Sequence, residues 1–203
     1  MITVDSSARG LIFDLDGTLA DTMGMHIDAW IAAGQEYGLA ITPAMINDNA
    51  GIPTRPLLTL LNKQYGWTVD PMAFEEVKDH HYNIIKESHG KIKSIPAVMD
   101  IVRAYKDKLP MAVGTGSIRT DALMAIGELG ITDLIIGVVT ADDVTQPKPH
   151  PETFLTCASI IGIEPKFCQV FEDSPKGVEA ALAGGMMVTN ILTGVFHKPY
   201  EKN

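Results

Sequence analysis

Four short polar clusters interrupt apolar runs in this chain. The first lies in "GLIFDLDGTLADT", residues 10–22, where an apolar run stops at Asp14 and Asp16 with only Leu15 between them. The others are Thr115-Gly116-Ser117 after "MAVG", Lys148 in the loop that follows "GVVTADDV", and Glu172-Asp173 after "QVF". In an extended chain, alternation puts residues 14 and 16 on one side and turns Leu15 into the core. Brought together, Asp14, Asp16, Glu172 and Asp173 would crowd up to four negative charges around one lysine. Two like charges about 4 Å apart repel by about 4 kcal/mol at an intermediate effective dielectric. Such a cluster is hard to justify unless a cation occupies it. All-oxygen ligands suit magnesium, which keeps some waters and also binds phosphate oxygen. Thr115, Gly116 and Lys148 would add hydroxyl, backbone N–H and ammonium donors for a phosphate.

The elements that must position these groups alternate along most of the chain. Residues 10–15, 111–115, 134–140, 169–173 and 186–192 are short and mostly apolar, as expected of strands in a sheet covered on both faces. Helical patterns lie between them. One opens at Pro96, one stops at Gly130, one runs from Pro151 to Gly162, and one has Ser174 as N-cap with Pro175 in its first turn. Strand–helix alternation predicts an α/β fold with a doubly wound parallel sheet. Its ligands bind outside the carboxyl ends of the strands, where all four clusters fall. Residues 23–92 break the pattern with three helical stretches and no convincing strand. The expected organisation is an α/β core from residues 1–22 and 93–203, with an inserted α-helical cap at 23–92 and hinges near 19–24 and 90–95. The polar C-terminal "HKPYEKN" is expected to fray.

The chain has 203 residues and a net charge of -9, from 16 basic and 25 acidic residues. A field of that sign excludes nucleic acid and anionic lipid as general partners. An anionic substrate must then find its positive charge locally. Cys157 and Cys168 lie in no metal-like spacing and read as reduced thiols. The "MITVDSSARG" start has no secretory pattern, and the longest apolar runs are too short to span a bilayer. A cytoplasmic, monomeric protein is expected.

The ordered set "DLDGT" at 14–18, "VGTGS" at 113–117, Lys148 in "KPHPETF" and "VFEDSPKGVEAA" from Val170 resembles the haloacid dehalogenase-like (HAD) superfamily. The match is to its phosphatase and phosphomutase branch, with a Rossmann-like core and a helical cap, and it covers nearly the whole chain. The resemblance implies that Asp14 is the nucleophile, becoming a phospho-aspartate, and that Asp16 is the general acid and base. It implies that Thr115, Gly116 and Lys148 hold the phosphoryl group. It also implies that Asp14, the main-chain carbonyl of Asp16, and Asp173 hold Mg2+, with Glu172 a direct or water-mediated ligand. An ionised Asp14 beside Asp16 is expected to raise the latter's proton affinity, a bound metal opposing this.

The cap carries weaker signals. His26 and Trp30 share a helix face at i and i+4, as in the sugar-phosphate members. Arg55 in "GIPTR" is placed to meet a phosphate or sugar, and Lys78 resembles a cap lysine of β-phosphoglucomutase. The plainer alternatives are a structural hydrogen bond for His26 and solvated charges for Arg55 and Lys78. Departures from the pattern are Gly24 in place of an acid, Glu152 in place of aspartate, and Ala97 in place of glycine. The resemblance implies a magnesium-dependent phosphatase of a small phosphorylated sugar, with fructose 1-phosphate first. A β-phosphoglucomutase is the alternative, and a non-catalytic phosphate-binding module the remote one.

Overall fold

The computed structural model describes residues 2–199. Its strands are β1 (Gly10–Phe13), β2 (Met111–Gly114), β3 (Gly137–Val139), β4 (Cys168–Glu172), β5 (Met187–Asn190) and β6 (Phe196–His197), in the spatial order β3-β2-β1-β4-β5-β6. The first five pair in parallel, and β6 runs antiparallel to β5. The helices are α1 (Met23–Glu36), α2 (Pro43–Asn47), α3 (Thr54–Tyr65), α4 (Pro71–His89), α5 (Pro96–Tyr105), α6 (Arg119–Glu128), α7 (Glu152–Ile161) and α8 (Pro175–Ala183).

The central strands are mostly apolar because both faces of the sheet are covered, and the buried Gln169 of β4 is satisfied by Asp5 N, the Thr3 carbonyl and the Thr189 hydroxyl. Leu11, Phe13, Met111, Val113 and Phe171 point to one side, where α5 and α6 contribute Val98, Val102, Ala122 and Ile126. Ile12, Ala112, Val170 and Val188 point to the other, against Phe154, Cys157 and Ala158 of α7 and Ala180 and Ala181 of α8. Phe13 stacks on Phe171 with ring centroids 5.2 Å apart, which fixes β1 beside β4 where both approach the carboxyl edge.

Helix ends follow local chemistry. Ser174 accepts a hydrogen bond from Gly177 N at 3.0 Å and caps α8, with Pro175 following it. Asp70 caps α4 through Met72 N at 2.8 Å. Gly162 ends α7 with φ +69°. Helices α1 to α4 sit between β1 and α5. They carry an apolar cluster of their own, with Trp30, Leu57, Leu58, Leu61 and Phe74, while Met25, Ala29 and Tyr82 join the cluster on the sheet.

Two elements depart from the sequence expectation. Five-residue α2, capped by Thr42, is too short to leave a helical period. His197, the first residue of the stretch expected to fray, pairs with Val188 beside Phe196 and Thr189, and Lys198 pairs with Asp5 at 3.0 Å. The parallel sheet leaves the edge of β5 open, and backbone pairing there outweighs the polar composition. Residues 200–203 of the expected frayed end lie outside the described residues.

One glycine ties the fold to the carboxyl edge. A methyl group on Gly177, in α8, would stand 1.6 Å from Glu172 Oε1, at the end of β4. Gly177→Ala must therefore push a buried, bonded carboxylate out of place, and a loss of about 3 kcal/mol is expected. Urea unfolding of the variant would measure it, and an unchanged midpoint would show that Glu172 has room to move.

Candidate active site

Lys148 organises the carboxyl edge of the sheet. Its ammonium donates to Asp14 Oδ1 at 2.7 Å, to Glu172 Oε1 at 2.9 Å and to the carbonyl of Gly114 at 3.2 Å, and it stands 4.5 Å from the centroid of the Phe154 ring. These contacts draw together the ends of β1, β2 and β4. The side chain is 1% exposed. Its loop is fastened by Glu152, which accepts from Thr145 N at 2.9 Å and Gln146 N at 3.0 Å. The longer acid at this position thus still orients the lysine loop.

Glu172 is held from its other side by Ser174, whose N–H and hydroxyl donate to Oε2 at 2.6 and 2.9 Å. Asp173 accepts from Thr18 Oγ1 at 3.2 Å. Gly17, at φ +84°, lets the backbone pass close to it, since a Cβ there would meet Asp173 Oδ2 at 2.3 Å. One oxygen each from Asp14, Glu172 and Asp173 can be chosen so that all three lie within 4.8 Å of one another. That spacing and donor set fit a hard divalent cation.

The local electrostatics favour the same occupant. Burial pushes the Asp14 carboxyl well above the usual carboxylate range, and Glu172, Asp173 and Asp16 add to the shift against the pull of Lys148. Burial and then Glu172 push Asp173 up to about 7. Burial would lower the Lys148 ammonium, but Asp14 and Glu172 overcome it and hold the lysine charged. One ammonium does not neutralise the surrounding carboxylates.

Asp16 has a different setting. Its Oδ1 accepts from Thr22 Oγ1 at 2.7 Å and contacts His26 Nε2 at 3.2 Å. Its Oδ2 accepts from Ser117 Oγ at 2.6 Å and Thr115 Oγ1 at 3.2 Å. Burial alone would raise this carboxyl, but His26 and the Ser117 and Thr22 hydroxyls hold it below the usual range. This reverses the sequence expectation. The like charge of Asp14 is outweighed by donors that come from two separate loops and α1.

The four clusters therefore meet at one crevice, lined on its other side by the inserted helices. His26 lines it and stacks on Tyr82 with centroids 4.4 Å apart. Lys78 lines it too, buried, with Asp79 at 2.9 Å. Gly116 faces the loop after α2, where a Cβ would meet the Gly51 carbonyl at 2.9 Å. Arg55 is not part of the lining. It is largely exposed and pairs with Glu75, so it is not brought to the crevice as expected. Gly24 has open space around it. Sequence reading passed over Thr22, Ser117 and Ser174 as partners of the carboxylates. Each lies within a few residues of a recognised acid or of Thr115, and that proximity was the available signal.

The family model described as haloacid dehalogenase-like hydrolase matches residues 11–191. The fructose-1-phosphate phosphatase YqaB of Escherichia coli is 38% identical over 184 residues, covering 90% of this chain and 95% of that relative. The phosphorylated carbohydrates phosphatase of Thermotoga maritima is 29% identical over 187 residues, covering 88% and 82%. The solved structure of a β-phosphoglucomutase from Clostridium difficile has a TM-score of 0.77 at 26% identity, covering 90% of this chain and 83% of that one. Joined to the doubly wound sheet and the Asp14–Lys148–Glu172–Asp173 assembly at its carboxyl edge, these likenesses place the chain in the haloacid dehalogenase-like hydrolase family.

Proposed function

We propose that this protein is a magnesium-dependent phosphatase of small phosphorylated sugars, a cytoplasmic monomer in which residues 23–92 act as a cap over a core of residues 1–22 and 93–203. The observation that carries this reading is the buried Lys148, bridging Asp14 and Glu172 beside Asp173 with carboxylates in excess. An excess of buried negative charge suits a site completed by a cation and a phosphoryl group. The likeness to a fructose-1-phosphate phosphatase and to a phosphatase of phosphorylated carbohydrates supports a sugar ester as substrate. No helix among the described residues is long and apolar enough to cross a membrane, and both cysteines are free thiols, in keeping with a cytoplasmic setting.

In this reading Asp14 attacks phosphorus, the bond to the sugar oxygen breaks, and a phospho-aspartate forms. Lys148 and the Thr115 hydroxyl hold the phosphoryl oxygens and orient them for in-line attack. Asp16 gives the departing sugar oxygen its proton. It then takes a proton from the water that attacks the phospho-aspartate, releasing phosphate and restoring Asp14. His26, 3.2 Å from Asp16, is placed to exchange that proton with it. Asp14, Asp173 and the Asp16 carbonyl would hold magnesium, with Glu172 beside them, and the ion supplies positive charge to the phosphoryl oxygens.

The likeness to a solved β-phosphoglucomutase favours a second reading, in which a sugar hydroxyl takes the place of the water. A screen of phosphate release over hexose phosphates, run beside a coupled assay for glucose 6-phosphate from β-glucose 1-phosphate, separates the two. Phosphate release, led by fructose 1-phosphate, is expected. Mutase turnover far above release would reverse the choice. If neither substrate turned over while the protein bound magnesium, a binding module would be left.

Two further outcomes are expected. Asp14→Asn should lose turnover by on the order of 10⁴-fold or more while its circular dichroism stays that of the parent. Near-parental rates would remove Asp14 as nucleophile. Chelation with EDTA should stop turnover and added magnesium restore it, and full activity after exhaustive chelation would sink the metal assignment.

A further inference from the structure

Away from the nucleophile, the crevice wall bears several charged side chains, nearly all of them already paired. Of the lining residues, Glu75 is paired with Arg55 and Lys78 with Asp79, while Arg119, outside the lining, is paired with Asp143. Asp121 is different. It stands in the first turn of α6, half-buried, and lines the same cavity as Lys78 and Asp79. Among the described residues it makes no hydrogen bond or ion pair, although Lys86 and Lys78 lie near enough to favour its ionised form against burial. Lys86 is the other cation on its side, but its ammonium rests on Met124 Sδ at 3.0 Å and it is not part of the lining. Beside Ser117 the wall carries the apolar side chain of Ile118 rather than a charge.

We propose that Asp121 is a specificity-determining residue that selects substrates whose far end is a neutral, hydroxyl-bearing chain and turns away those with a second phosphate. The inference rests on the phosphatase reading above. A carboxylate accepts hydrogen bonds only, so polyol hydroxyls satisfy it at no cost in charge. A half-buried carboxylate without a partner is expensive to leave unmet, which makes the hydroxyl contacts count. A second phosphate meets the opposite situation. It would lie near this carboxylate, Lys78 would first have to leave Asp79, and Lys86 stands outside the lining. Selection here therefore works by repulsion as well as by attraction.

The test compares kcat/KM for a panel of hexose and hexitol monophosphates with that for the corresponding bisphosphates, fructose 1-phosphate and fructose 1,6-bisphosphate among them. p-Nitrophenyl phosphate, which has neither hydroxyls nor a second phosphate, reports the phosphatase chemistry itself. In the parent protein the best monophosphate is expected to exceed its bisphosphate by about tenfold or more, equivalent to ~1.4 kcal/mol. Asp121→Asn should shrink that ratio about fivefold, and Asp121→Lys should bring it to parity or below. A merely structural role would lower both rates together and leave the ratio unchanged. If neither variant folds, raised ionic strength applied to the parent must shrink the ratio by screening.

The failures are distinguishable. No phosphate release from any substrate overturns the phosphatase reading and this inference with it. Release from p-nitrophenyl phosphate, with no monophosphate ahead of its bisphosphate, overturns the inference alone. So does a ratio that neither the variants nor salt can move.

Discussion

The rest of the structure depends on one buried ammonium. Lys148 reaches Asp14 and Glu172 at the same time, from a loop far away in sequence, with 1% of its surface exposed. Removing either partner from a buried pair costs about 3–5 kcal/mol, because the remaining charge cannot return to water. The contact therefore demands that β1 and β4 lie in one register, with Phe13 opposite Phe171. A slip of one residue would turn Asp14 and Glu172 to opposite faces. The same contact explains why Glu152 clamps the lysine loop, why Ser174 spends both its N–H and its hydroxyl on Glu172, and why position 177 has no side chain. Each of these is local, and each serves the position of a single nitrogen atom.

That ammonium does not balance its surroundings, and the imbalance gives the site its chemistry. Asp14 and Asp173 are both pushed upward by burial and by neighbouring acids. A protein selected for stability alone would replace some of these carboxylates with apolar groups, at little cost or a gain. Their retention is intelligible as a place made for external positive charge. Stability is held down where ligand binding can restore it.

Much of this was legible in the sequence. Short, mostly apolar runs marked β1, β2 and β4 because both sheet faces are covered, and Ser174-Pro175 marked the start of α8 because capping is local chemistry. The convergence of Asp14, Thr115, Lys148 and Glu172 followed from strand ends sharing one edge of a parallel sheet. What stayed hidden depends on partners distant in sequence. Arg55 looked available for substrate, yet Glu75, one helix later, takes it. Asp16 looked destined for a raised pKa beside Asp14, and four donors from elsewhere lower it. Short elements such as α2 and β6 carry too few residues for any period to show. Asp121 gave no signal, because being left without a partner is a property of the packed chain.

Asp14 and Asp16 end as opposites, although one residue separates them. Burial and the neighbouring acids raise Asp14 against the pull of Lys148, while Asp16 lies among donors that lower it. The proposed roles require the reverse at the moment of attack, with Asp14 as an anion and Asp16 carrying a proton. Positive charge placed beside Asp14 would favour its anion, and Asp173, within metal reach, would gain in the same way. A phosphate that drew on the hydroxyls of Thr115 and Ser117 would remove donors that stabilise the Asp16 carboxylate and so raise its proton affinity. In the proposed reaction, ligands of both signs would therefore push the two carboxyls toward the states their roles require. The proposed chemistry would thereby be coupled to the presence of a bound phosphoryl group.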